Sequence, residues 1–342
     1  MPHRRRPLPT VGELDGIDPA LHGAYRLCRD LNARHGKTYF LATRLLPVDK
    51  RAGVHALYGF ARMVDDIIDV DVDGSLVDES SEDKTPLAPA DRRAAERVDS
   101  LEDRVRSALS GAVLGESPSE QVLTALVDTV DRYAIPHEYF YAFFRSMRMD
   151  IPGTDFFRSR YRTMAELREY MYGSAAVIGL EMLPILGASS VNAEGPAAAL
   201  GEAFQLTNFI RDMGEDLDRD RIYLPTDELA AFGVDEALLR HCRDSGRTDQ
   251  RLSRALAHLI AHTRAVYRLA EPGIEMLDPR VQSSMRTAFL LYGGILREVE
   301  DGGYRVLQER ARVPGWRRLS VAGPRLVATG WTRLRSPSPV RA

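Results

Sequence analysis

Apolar residues recur at three- and four-residue spacing along most of this chain, over 20–46, 50–70, 91–110, 118–132, 137–149, 163–187, 195–218, 250–270 and 280–310. That spacing lines them up on one stripe of a helix. Alternating runs of the kind half-buried strands show are nearly absent. Gly, Pro, Asp and Ser gather between the periodic segments, where breakers belong, and no repeat of fixed period recurs. The pattern predicts an all-α chain forming one large helical domain with short connections.

Three stretches depart from the pattern. Residues 1–19 form an N-terminal extension whose start is basic but lacks the apolar run of a signal peptide. Residues 71–91 (DVDGSLVDESSEDKTPLAPAD) are acidic, polar and Pro-containing, with little to bury, and read as a surface loop. Residues 313–342 are a basic tail. After Glu309 no acidic residue follows, while Arg310, Arg312, Arg317, Arg318, Arg325, Arg333, Arg335 and Arg341 do, with both tryptophans, Trp316 and Trp331. Such a stretch is either a basic tail without structure or a peripheral contact with an anionic membrane surface.

Composition narrows the classes. Hydrophobic residues make up 44% of the 342 and charged residues 28%, an ordinary globular balance. A formal net charge of -3 gives no reason to expect nucleic acid as a partner. Cys28 and Cys242 form neither a metal-type spacing nor a disulfide framework, so a cytoplasmic setting is the simplest expectation. No stretch approaches the roughly 18 apolar residues of a membrane span.

Two acidic segments carry the candidate chemistry. In YGFARMVDDIID, residues 58–69, Tyr58, Arg62, Asp65 and Asp69 stack on one helical face, while Leu57, Phe60, Val64, Ile67 and Ile68 point elsewhere and can pack. Two carboxylates one turn apart suit Mg2+, and Arg62 offers a fork for phosphate. An amphipathic helix with acids on its wet face has the same look, so this segment alone does not decide the matter. The run from Asp69 through Asp71 and Asp73 to Gly74 imitates a calcium loop. Its twelfth position, however, is Ser80 rather than glutamate, which excludes that reading.

In FQLTNFIRDMGEDLDRDRIYLP, residues 204–225, Gln205, Asn208, Asp212 and Asp216 share a narrow sector of the helix. Leu206, Phe209, Ile210 and Met213 fill the adjoining one, so the polar stripe should border the interior. Carboxylates there are costly unless paired or metal-bound. Facing each other across a bundle, the two segments would offer four carboxylates to two or three cations able to clamp a departing diphosphate.

DDIID together with QLTNFIRDMGEDLDRDRIYLP resembles the phytoene and squalene synthase family, and the resemblance extends over about residues 20–312. It includes His35-Gly36-Lys37-Thr38-Tyr39-Phe40 with Leu45-Leu46-Pro47, the segment SMRMD at 146–150, and the run from Tyr161-Arg162-Thr163 through YMYGSAAVIG at 170–179. It closes with Tyr292 and Gly303-Tyr304-Arg305-Val306-Leu307. The resemblance implies a single helical bundle of the isoprenoid synthase type with a central substrate cavity. It implies Asp65, Asp69, Asn208, Asp212 and Asp216 as ligands of two or three Mg2+ ions, with Mn2+ as an alternative, the four aspartates being catalytic. Arg62, Lys37, Arg211, Arg221 and Tyr292 would hold diphosphate, with Tyr58, His35 and Gln205 beside them. Gly173, Ser174, Ala175 and Ala176 would leave room for a prenyl chain or only let helices pack closely.

The reaction so implied is head-to-head condensation of two prenyl diphosphates through a cyclopropyl diphosphate. The YMYGSAAVIGL and SMRMD segments look most like bacterial phytoene synthases, which implies geranylgeranyl diphosphate as substrate, phytoene as product and no NADPH. The alternative is a squalene or dehydrosqualene synthase acting on farnesyl diphosphate. A chain-elongating prenyltransferase fits less well, because the second segment reads NFIRDMGED rather than a second aspartate-rich motif of the elongating type. A terpene cyclase or a non-catalytic scaffold anchored by the basic tail are the remaining classes.

Overall fold

The computed structural model describes residues 12–68, 90–152 and 154–311. Asp69, most of the acidic stretch 71–91 and the tail 313–342 lie outside them. Thirteen α-helices and no named strand occur among the described residues, so the chain is all-α as the apolar periodicity predicts. An isolated parallel bridge joins Arg160 to Ile222. No helix among these residues is long and apolar enough to cross a membrane.

The helices group into two compact units. The first holds 12–68 and Asp103–Ile135. Its elements are α1 (His22–His35), α2 (Lys37–Leu45), α3 (Val48–Ile68), the latter part of α4 (Ala90–Leu109) and α5 (Pro118–Tyr133). α3 packs on both α1 and α5. Its core is Val54, Ala56, Phe60 and Val64 against Leu31, Leu123 and Leu126, all at most 1% exposed. α5 shows why its bounds fall where they do. Ser117 caps it by accepting from the Glu120 amide, Pro118 opens the first turn, and Ala134 ends it in the left-handed region at φ 51°.

The second unit holds 90–102 and residues from Pro136 to 311. Its spine is α9 (Glu194–Asp218), packed against α8 (Val177–Leu186), α12 (Gln250–Ala270) and α13 (Pro279–Asp301). α6 (His137–Arg148) and α7 (Met164–Met171) precede a π-helical turn at Tyr172–Ala176, and α10 (Thr226–Ala230) and α11 (Glu236–Ser245) follow α9. The small residues of YGSAAVIG let backbones meet. A side chain on Gly201 would lie 2.1 Å from the Ala175 carbonyl oxygen, and one on Gly179 would lie 2.2 Å from that of Ala197. Only glycine permits these approaches.

Helix bounds differ from the periodicity in four places, each for a local reason. The expected 20–46 helix breaks at Gly36, between α1 and α2. The expected 163–187 helix is interrupted by the π turn. The last helix stops at Asp301, and turns carry the chain from Gly302 onward. α10 and α11 escaped the pattern because they are short. α11 fully buries only Leu239 and Cys242, and its ends are set by the Asp235 cap and by Gly246 at φ 66°.

Glu181 is the strongest local conflict in the second unit. It is 1% exposed, within an otherwise apolar α8, and its Oε1 has no hydrogen-bond partner. Burial raises its pKa from 4.5 to about 8. The folded protein therefore prefers the protonated acid, and relative stability is full below about pH 4.5 and lost as pH rises to 8. Glu181→Leu should remove that loss, on the order of 3–5 kcal/mol above pH 8. Urea melts of both proteins at pH 5.5 and pH 8.5 test this; equal pH dependence in the two would contradict it.

Candidate active site

In the first unit the α3 segment buries the side expected. Leu57, Phe60, Val64 and Ile67 are 0–8% exposed. Tyr58, Arg62 and Asp65 lie on the half-buried side. Arg62 pairs with Asp66, one turn on, and its Nε–H is buried without a partner. An orphaned guanidinium N–H is a group a phosphate oxygen would satisfy. Asp69, the second carboxylate of the motif, falls outside the described residues.

The helix break at Gly36 lies against Tyr58. His35 ends α1 and is exposed, while Lys37 begins α2 with its side chain outside the description. Tyr58 packs on Tyr39 with ring centroids 5.7 Å apart. A side chain on Gly36 would lie 2.7 Å from Tyr58 Cζ and equally close to Asn32 Oδ1. Asn32 in turn bonds the buried His55 ring at 3.0 Å, and burial lowers the His55 pKa to about 4. Neither Asn32 nor His55 could be singled out from periodicity, because polar residues on a buried face carry no pattern of their own.

In the second unit the α9 stripe borders the core as expected. Leu206, Phe209, Ile210 and Met213 are 0–5% exposed, while Gln205, Asn208, Asp212 and Asp216 are half-buried. Asn208 donates to Gln205 Oε1 at 3.3 Å, which leaves its own Oδ1 buried and unpartnered. The Asp216 carboxyl is raised to about 7, by burial first and then by the Asp212 carboxylate beside it. An orphaned amide oxygen and a carboxyl raised by burial beside a second carboxylate are the donor chemistry a hard divalent cation takes. Among the described residues no three His, Cys, Asp or Glu side chains form a ready metal cluster. The α9 set offers two carboxylates and one amide, so the donors fit Mg2+ only as a partial shell that other oxygens must complete.

Asp212 is held between two arginines. Arg211 donates through Nε and Nη2 at 2.7 and 2.5 Å. Arg310, which follows α13, reaches the same carboxylate at 2.7 and 2.9 Å. Sequence reasoning gave Arg310 no role in the site, and nothing in its surroundings marked it for Asp212. Tyr292 stacks on Phe204 at 4.2 Å, and burial raises its hydroxyl pKa, with Arg211 pulling it down and Asp212 adding to the rise. Arg221 is turned toward the buried Asp150, at 2.7 Å, and donates to the Tyr223 hydroxyl at 2.9 Å. Ser174 lies in the π turn with its Oγ buried and unpartnered, between the buried Gly173 and the buried Ala175 and Ala176.

The fold is that of the helical isoprenoid synthases. Among solved structures, a ligand-bound dehydrosqualene synthase matches with TM-score 0.74 at 23% identity, covering 91% of this chain and 98% of its own. Squalene synthase HpnC from Alicyclobacillus acidocaldarius matches with TM-score 0.69 at 22% identity, covering 86% of this chain and 99% of its own. The family described as squalene/phytoene synthase matches residues 32–317, and the chain belongs to it. Relatives include the phytoene synthase of Arthrospira platensis, 35% identical over 86% of this chain and 90% of that protein. The 15-cis-phytoene synthase of Synechococcus elongatus is 33% identical over 88% of this chain and 91% of its own. The chain is thus a prenyltransferase of isoprenoid biosynthesis.

Gly36→Ala should force α2 and Tyr58 apart. We expect a loss of roughly 1–3 kcal/mol in stability and a fall in turnover of about tenfold or more at temperatures where the variant is folded. Thermal melts and initial rates check both; unchanged turnover would detach the α1–α2 break from the site.

Proposed function

We propose that the enzyme condenses two geranylgeranyl diphosphates head to head, through a cyclopropyl diphosphate, to phytoene, releasing two diphosphates and a proton. The observation that carries this reading is the α9 stripe of Asn208, Asp212 and Asp216, with its orphaned amide oxygen and buried carboxyl. The phytoene synthase name of the sequence relatives supports the C20 donor. The squalene and dehydrosqualene synthases are likenesses of fold.

Asp65 and Asp69 of the first acidic segment, with Asn208, Asp212 and Asp216, are the proposed ligands of Mg2+. When bound, the metal neutralises diphosphate and so makes it a leaving group. The chain's own part is to orient and to exclude water. Arg62, through its orphaned Nε–H, and Arg211 are the proposed holders of diphosphate oxygens, and Lys37, Tyr58, His35 and Tyr292 are the further candidates for that role. Gln205 fixes the Asn208 amide so that its oxygen stays free to coordinate. Aromatic and aliphatic side chains around α9, such as Phe209 and Met213, keep an allylic cation from water. NADPH has no step in this route. The basic stretch 313–342 is the part suited to peripheral contact with an anionic membrane surface.

Product analysis tests the reading. Purified enzyme with Mg2+ and geranylgeranyl diphosphate should give phytoene without NADPH, and farnesyl diphosphate should be a poor donor. A C30 hydrocarbon as the main product would move the substrate, and no hydrocarbon from either donor would overturn the function. Asp65→Ala and Asp212→Ala should each cut turnover on the order of a hundredfold to a thousandfold or more, with helical circular dichroism retained.

A further inference from the structure

Asp150 takes no part in the scheme above, yet it is one of the most heavily bonded carboxylates in the second unit. It follows α6, in the SMRMD segment, and is 5% exposed. Its Oδ2 accepts from the Tyr170 hydroxyl at 2.6 Å, and its Oδ1 from the Tyr223 hydroxyl at 2.8 Å and from Arg221 Nη1 at 2.7 Å. Arg221 Nη2 reaches the Asp150 carbonyl oxygen at 2.5 Å. The segments that carry these groups are stitched together by backbone bonds, from Ile222 to Ser159 and from Thr226 to Tyr161, each at 2.9 Å.

Arg221 also adjoins Asp216. Its amide donates to the Asp216 carbonyl oxygen at 2.8 Å. Arg221 and Asp216 also line one small cavity of about 10 Å³, the size of a single water, together with Phe209, Met213 and Tyr223. A half-buried guanidinium in that corner takes the anion whose geometry is better. Asp150 offers a carboxylate and a carbonyl, pre-set by two tyrosine hydroxyls, and holds the fork by two points.

We propose that Asp150 is a positioning residue for cation binding: by anchoring Arg221, with Tyr223, it keeps that guanidinium off Asp216 and leaves the Asp216 carboxylate to a divalent cation. The inference rests on the reading in which α9 holds metal. It gives Arg221 this role in place of the diphosphate contact that the family resemblance implies. Without Asp150, Arg221 turns to Asp216 and competes with the cation.

Direct Mn2+ binding to the full chain, followed by electron paramagnetic resonance of the free ion with inorganic diphosphate present, tests this without relying on turnover. Asp150→Asn should weaken Mn2+ binding by roughly tenfold or more, as expected for a cation brought against the same carboxylate. Asp150→Asn/Arg221→Gln should restore it to within about threefold of the wild type. A merely structural Asp150 predicts no such rescue, and a double variant as weak as the single overturns the proposal. So does wild-type affinity in Asp150→Asn. Should Asp150→Asn fail to fold, Arg221→Gln carries the test: it should bind Mn2+ at least as tightly as the wild type, and weaker binding overturns the proposal. Absence of Mn2+ binding in the wild type would instead overturn the metal reading of α9, and this inference with it.

Discussion

The burial of one face of α9 is the constraint on which the rest of the second unit depends. Leu206, Phe209, Ile210 and Met213 must be covered, and α7, the π turn, α12 and α13 share the core that covers them. Because helical periodicity is fixed, burying those residues fixes the direction of the next sector, that of Gln205, Asn208, Asp212 and Asp216. Backbone approaches at Gly179 and Gly201 make that packing tight enough to hold the stripe at the edge of the core. At that edge Asp212 is paired with Arg211 and Arg310, whereas Asp216 is left with burial and the neighbouring Asp212 charge, and its raised pKa is the result.

The arginines around the stripe fall into two kinds. Arg211 and Arg310 compensate Asp212 from within hydrogen-bond distance. Arg221 is compensated elsewhere, by Asp150. A site of this kind must balance its acids closely enough to remain folded, yet leave oxygens available to metal. The orphaned Oδ1 of Asn208 and Nε–H of Arg62 are polar groups the fold leaves for something other than itself.

Helix existence and the α9 stripe were legible in the sequence because both follow from a period of 3.6 residues. Phe209 and Asp212 could be assigned to adjoining sectors without any knowledge of neighbours. The partners of the charged residues were not legible. Arg221 and Asp150 are 71 positions apart and Arg310 and Asp212 are 98 apart, so only tertiary packing could pair them. The π turn at Tyr172–Ala176 and the break at Gly36 are local departures from helical period that apolar spacing is too coarse to locate. The short helix α11 escaped for want of buried residues. Glu181 shows the limit from the other side: apolar spacing assigns a lone acid in VIGLEMLPIL nothing, and only the structure shows it enclosed.

The central claim is that the α9 stripe binds a divalent cation together with diphosphate. Isothermal titration of Mg2+ into the enzyme with inorganic diphosphate present, repeated with Asn208→Leu and Asp216→Asn, tests it most directly. The account predicts saturable binding in the wild type and a loss of about tenfold or more in affinity in each variant, with helical content unchanged. Undiminished binding in both variants would contradict it.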